Sequence, residues 1–331
     1  MSGARALLAA PAARRALVDG RVGAVELALS RGAYVRLERE WLMLAQPIAP
    51  FGPLSLAVNG LELLDLSPGL PVCVTGSRMV LGEHAVSLER MRERGMAPLA
   101  SAPPGGRDVM VTAAAAALAA LPAPPAFLER GIAALAAGRL RDAVLALAGL
   151  GEGLTPAGDD VLAGYAASRA ALGALGAPEG VALDGSAPLS TLAAERSSAL
   201  GLAYLRCAEG GELPDAGAQL LVAIRHGSVE AVQAALPQLR AWGASSGIAL
   251  AWGIAAAASA LDNEWLAPKT NGAAMTGRAP AKDTSSLNPP ARDRRETDAA
   301  SRIQAWDLCL QGRGDRGFRR AARRLLGCAP I

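Results

Sequence analysis

Asp159 and Asp160 stand side by side in the stretch GLGEGLTPAGDDVLAG, Gly149 to Gly164, within otherwise alanine-rich sequence. Adjacent carboxylates can hold a hard cation, orient an amide or move protons. Thr155 is a good N-cap and Pro156 suits the first helical position, so GLTPAGDD predicts a helix start with both aspartates in its first turn. The helix dipole favours negative charge there. A well-started helix alone would account for each of these residues singly. It does not ask for a second aspartate, nor for Gly149, Gly151, Gly153, Gly158 and Gly164. Glycines ahead of the helix allow positive φ and close backbone approach. Their N–H groups, with the helix N-terminus, suit an oxyanion such as phosphate or carboxylate. The aspartates repel such an anion unless Mg²⁺, held by Asp159 and Asp160, mediates. Alternatively, an aspartate accepts from the amide N–H₂ of a substrate. The spacing leaves both open. Gly164 is placed to let another helix come close.

A second stretch echoes the first. PAGDDVLAG, from Pro156, lies over SSGIALAWG, from Ser245. Gly158 then meets Gly247, Asp160 meets Ala249, Leu162 meets Ala251 and Gly164 meets Gly253. Two such helix N-termini converging would make a polar pocket in apolar surroundings. Arg196, near Ser197 and Ser198 at another expected helix start, is placed to pair with an aspartate or bind an anion. His84 and His226 are the only histidines, so a histidine-rich metal site is excluded within this chain. Cys73, Cys207, Cys309 and Cys328 are scattered, without metal-finger spacing or a disulfide pattern.

The elements that must position these residues change in kind along the chain. From Val22 to Leu81, short runs such as AYVRLE and EWLMLAQP, punctuated by Gly, Pro and Asn, predict strands in an antiparallel sheet or small barrel. In AYVRLERE, Tyr34, Arg36 and Glu38 share one face, and Val35 and Leu37 the other. TGSR, Thr75 to Arg78, predicts a turn between strands. HAVSLERMRER, from His84, reads as a short helix or a linker. Beyond SAPPGGRD the period becomes helical, with seven or eight helices and a last one from Ser245 to Leu261. Ser228 is an expected N-cap, and Pro237 is expected to bend or end its helix.

The fold class expected is therefore α+β: an antiparallel β-rich domain over residues 1–100, an all-helical, bundle-like domain over 101–262, and a disordered arginine-rich tail over 263–331. Hydrophobic residues make up 51% of the chain but aromatics only 3%, which predicts close helix packing through small side chains. The net charge of +3 says little about partners. The tail's arginines lack interleaved stacking aromatics apart from Trp306 and Phe318, so no nucleic-acid role is assigned. The N-terminus lacks the unbroken apolar core of a signal peptide, and no stretch reads as a membrane span. A cytoplasmic protein is expected.

GLGEGLTPAGDDVLAG resembles the GxGxGLTPSGDDFLxG hallmark of the AllH-type family. GASSGIALAWG is similar to that family's second motif, GxSSGxDxLxG. RSSALGLAYLRCAEGG and FGPLSLAVNG resemble further family segments, and the resemblance runs from about Leu17 to Leu261. It implies a subunit of oxamate carbamoyltransferase, an enzyme of allantoin degradation and purine catabolism that converts oxalurate and phosphate to oxamate and carbamoyl phosphate. It also implies a hetero-oligomer with FdrA-like and other carbamoyltransferase subunits. Gly153, Thr155, Pro156, Gly158, Asp159 and Asp160 would line the site, with Ser245, Ser246 and Gly247 from the second motif. Asp159 and Asp160 are then the candidate catalytic residues for a ureide or phosphate ligand. Two departures stand out. Ala157 replaces the usual serine, and Ala249 stands where the family carries aspartate. They fit an altered substrate, weakened or lost activity, or a non-catalytic assembly or ligand-binding subunit whose partner supplies the chemistry.

Overall fold

Two-residue loops govern the first third of the chain. Leu37 pairs with Glu40, Thr75 with Arg78 and Leu81 with His84 across tight antiparallel turns. The first loop residue of each, Glu38, Gly76 or Gly82, has φ of 56°. Positive φ at that position matches the turn to the twist of its strands. The computed structural model describes residues 4–95, 107–172 and 187–266.

The strands are β1 (Arg5–Ala9), β2 (Val22–Leu29), β3 (Gly32–Leu37), β4 (Glu40–Ala45), β5 (Ser55–Asn59), β6 (Pro71–Thr75), β7 (Arg78–Leu81), β8 (His84–Ser87) and β9 (Arg92–Glu93). Their order is β5-β4-β3-β2-β6-β7-β8-β1, and β1 also pairs with β5, so eight strands close into a barrel; β9 adds to β1. The barrel is mixed, not antiparallel. β4 runs parallel to β5, with Met43 opposite Ser55, and β1 runs parallel to β8 and β9. The reason lies in residues 46–54. Pro47, Pro50 and Pro53 deny this connection the N–H groups and dihedrals of a tight hairpin, so the chain returns along the barrel before β5 begins. The segment after His84, expected as a helix or linker, forms β8 and β9 instead. Val86 alternates with exposed Ala85 and seals the barrel interior.

Alternation fixes which face is inside. Val35, Leu37, Leu42, Leu44, Leu56 and Val58 are fully buried in the barrel core. Tyr34 and Met43 lie on the opposite face, against Leu200 and Cys207. Tyr34 thus shares a face with exposed Arg36, as expected, but is itself covered by helix.

The helices are α1 (Pro11–Ala16), α2 (Arg107–Ala120), α3 (Ala126–Ala136), α4 (Leu140–Leu147), α5 (Ala157–Leu172), α6 (Leu189–Leu192), α7 (Ala199–Glu209), α8 (Asp215–His226), α9 (Val229–Arg240) and α10 (Ser246–Leu266). Ser228 caps α9 by accepting from the Ala231 amide. Pro237 neither ends nor interrupts that helix, which continues to Arg240; it sits on the exposed face. Asn263 to Leu266, expected to be disordered, continue α10. The rest of the predicted tail lies outside the described residues. Among the described residues, no helix is long and apolar enough to cross a membrane.

Helix α5 is buried all round from Ala157 to Ala167, as a central helix must be. Its approach to α10 depends on two glycines. A Cβ on Gly164 would lie 2.1 Å from the Leu250 carbonyl oxygen, and a Cβ on Gly253 would lie 2.0 Å from that of Val161. Gly164→Val should therefore lower stability by at least about 3 kcal/mol or prevent folding, because backbone rather than side chain must move. Gly76→Ala, with nothing within 4 Å of the new methyl, should cost only about 1 kcal/mol for its positive φ. Urea denaturation of the two variants checks the contrast.

Candidate functional site

The loop between α4 and α5 carries the first motif. Gly151 and Gly153 both have φ of 109°, a region closed to other residues. Pro156, not Thr155, occupies the cap position: its carbonyl accepts from the amides of Asp159 and Asp160. Proline cannot donate, so nothing is lost there, and the Thr155 side chain is released for other contacts. Its hydroxyl donates to Asp160 Oδ2 at 3.3 Å and lies 3.3 Å from Ser246 Oγ. The two helix N-termini thus meet through Thr155, Asp160 and Ser246.

The glycines explain why they meet. Gly158 lies against the Leu147 carbonyl at the end of α4, and Gly247 against the Leu239 carbonyl near the end of α9. Gly164 and Gly253 then exchange contacts: each touches the residue, Leu250 or Val161, that corresponds to the other's in the overlay of the two motifs. Reciprocal contact of this kind is the mark of a local twofold. Gly158 and Gly247 accordingly act by packing, and neither lines the cavity described below.

The adjacent aspartates part company. Asp159 Oδ1 accepts from the Gly149 amide at 2.7 Å and from Ser197 Oγ at 2.8 Å. Its Oδ2 is buried against Gly201 without a partner in hydrogen-bond geometry, although the nearby Ser198 amide favours the charged form. Burial raises its pKa above the ordinary 3.8, and these donors oppose the rise. Asp159 ties the motif loop to the start of α7. Asp160 faces the other way. Burial pushes its pKa up to about 7, against the hydroxyls of Ser246 and Thr155, and the charge of Asp159 adds to the rise. Neighbouring helix residues are about 100° apart around the axis, so the two carboxylates have different partners. Among the described residues, no group of three or more His, Cys, Asp or Glu able to hold a metal occurs.

A cavity of about 620 Å³ opens over Asp160. Gly153, Leu154 and Thr155 from the first motif and Ser245 and Ser246 from the second form one side. Ala49, Pro50 and Pro53, from the connection that makes β4 and β5 parallel, form another. Trp242 joins the two, its ring packed against Gly52. Tyr34 of the barrel and Tyr204 of α7 also line it, with hydroxyls 3.0 Å apart. Burial raises both phenol pKa values, and Asp160 lies close enough to add to the rise. Sequence reading missed Tyr34, Tyr204, Trp242 and Glu212, another lining residue. The one available signal was an aromatic at Tyr34 on the strand face otherwise left to charge. Arg196 points its guanidinium to the Leu145 carbonyl at 3.5 Å, and it contributes its own carbonyl to the packing of Gly149. His84 and His226 line no part of this cavity.

Residues 147–258 match the family model of oxamate carbamoyltransferase subunit AllH. No curated protein and no solved structure matches the chain. The AllH match begins at Leu147, the residue on which Gly158 packs, and ends within α10, so it spans both motifs and their crossing. The barrel, which supplies the opposite cavity wall, lies outside it.

The Asp160 carboxyl has a pKa of about 7 in the fold against 3.8 ordinarily. Between these values the folded chain holds a proton that the unfolded chain has lost, so this residue's contribution to stability falls as pH rises from about 4 to 7. Asp160→Asn should remove that slope. Relative to the parent, the variant should gain up to about 4 kcal/mol between pH 4 and pH 8. Asp159→Ala should instead destabilise at both pH values, by about 1–3 kcal/mol, since it leaves buried donors unpaired. Urea midpoints at the two pH values test both.

Proposed function

We propose that this chain is a subunit of an oxamate-carbamoyltransferase-type enzyme and that the cavity over Asp160 holds the carbamoyl end of a ureide. The convergence of both motifs on one buried acid carries this reading, and the AllH match over the same residues supports it. The reaction is phosphorolysis of oxalurate. A phosphate oxygen attacks the carbamoyl carbon, the bond from that carbon to the oxamate nitrogen breaks, and the nitrogen takes a proton. Carbamoyl phosphate and oxamate leave. In its charged form Asp160 accepts from the carbamoyl N–H₂ and fixes which way the carbonyl points. In its protonated form it is a proton source for the departing nitrogen, and a pKa near 7 makes both forms available at neutral pH. The N-termini of α5 and α10 favour negative charge growing on the carbonyl oxygen. A subunit of such an enzyme works with other carbamoyltransferase subunits, including FdrA-like ones.

A second reading rests on Ala249. It is fully buried, and it occupies the place that corresponds to Asp160 across the local twofold. One carboxylate of the family pattern is thus replaced by a methyl group, which favours an assembly or ligand-binding subunit whose partner does the chemistry.

Co-expression with the partner subunits and measurement of oxamate release from oxalurate and phosphate separates the two. Asp160→Asn should lower the rate at least about 100-fold with the complex intact by size-exclusion chromatography. An unchanged rate would leave the assembly reading standing.

A further inference from the structure

The charge of the cavity sets what it can take. Glu152 stands at the exposed mouth, Asp160 at the buried floor and Glu212 toward the barrel side. No lysine, arginine or histidine is among the described residues that line it. Arg15, whose side chain is mostly exposed, places Nη1 3.5 Å from Glu212 Oε1. Glu212 Oε2 is buried and has no hydrogen-bond partner. The hydroxyls of Thr155 and Ser246 are turned to Asp160 and to each other, and those of Tyr34 and Tyr204 to one another. The charged side chains of the lining are therefore all carboxylates. A bare dianion such as phosphate would be desolvated beside carboxylates with no opposite charge to receive it. An N–H donor finds the carboxylates of Asp160 and Glu212 among the lining residues.

Size adds a second constraint. About 620 Å³ lies within the roughly 300–1,000 Å³ that accommodates ligands of drug-like size, well above a small ureide or phosphate alone. Leu29, Met43, Pro50 and Trp242 make the rest of the lining apolar.

From charge and size together we infer that this cavity selects a ligand end rich in N–H donors, neutral or cationic, joined to an apolar body, and turns away free anions. The inference rests on the same site as the function proposed above. It sharpens that reading: this chain grips the amide side of the substrate, and the positive charge for carboxylate or phosphate comes from groups outside the described lining.

The test is calorimetric titration of the full purified chain with butylguanidinium, butylurea, oxamate and inorganic phosphate, each with and without Mg²⁺. Butylguanidinium should bind most tightly and butylurea next. Oxamate and phosphate should give no heat at ten times those concentrations. Asp160→Asn and Glu212→Gln, each checked for an unchanged circular-dichroism spectrum, should weaken butylguanidinium at least tenfold and butylurea less. Oxamate or phosphate binding more tightly than butylguanidinium, alone or only with Mg²⁺, would overturn the inference, as would the absence of binding by all four. Either result leaves the carbamoyl-transfer reading to its own assay, because oxalurate turnover that survives Asp160→Asn sinks that reading whatever the isolated chain binds.

Discussion

The crossing of α5 and α10 at backbone distance is the contact on which the site depends. Helices that carry side chains at their contact keep their axes about 8–10 Å apart. Here Gly164 and Gly253 remove the side chain from each surface in turn, and each receives the other helix's carbonyl. Two helices held this closely have little freedom to slide. Their first turns are fixed relative to one another, and that is how Thr155 and Ser246, 91 residues apart in sequence, come within 3.3 Å. Gly158 and Gly247 repeat the device at the helix starts, seating each on the helix that precedes it.

Burial then divides the work between two chemically identical side chains. Asp159 is held by an amide and a hydroxyl, and it anchors the loop to α7. Asp160 is the more perturbed, because its hydroxyl partners do not offset the loss of water. A buried carboxylate with strong donors serves structure, whereas one with weak donors and a cavity beside it has a proton to exchange near neutral pH. The barrel completes the environment. Its parallel step at β4 and β5 throws residues 46–54 over Trp242, which gives the polar floor an apolar roof.

Local features were legible in the sequence and distant ones were not. The helix start at Ala157, the cap at Ser228, the turn at Gly76 and the close approach at Gly164 each depend on a few neighbouring residues, and each is present. The expectation of Thr155 as the cap is one position early, since Pro156 can also begin a helix with its carbonyl. The closure of the barrel depends on β1 meeting β5, some fifty residues away, and no periodicity within either strand reports it. The pairing of Tyr34 with Tyr204 spans 170 residues and is likewise silent in sequence. The separation of Asp159 from Asp160 could have been foreseen, because consecutive residues on a helix do not face the same way. The overlay of the two motifs predicted convergence, and the exchanged glycine contacts are its structural form.

That exchange has one more implication. A pocket built around a true twofold presents a small ligand with two equivalent poses, end for end. Here Asp160 lines the cavity, whereas Ala249, its counterpart in the overlay, is fully buried and does not. The twofold therefore stops at the backbone: the scaffold repeats, and the surface laid over it is one-sided.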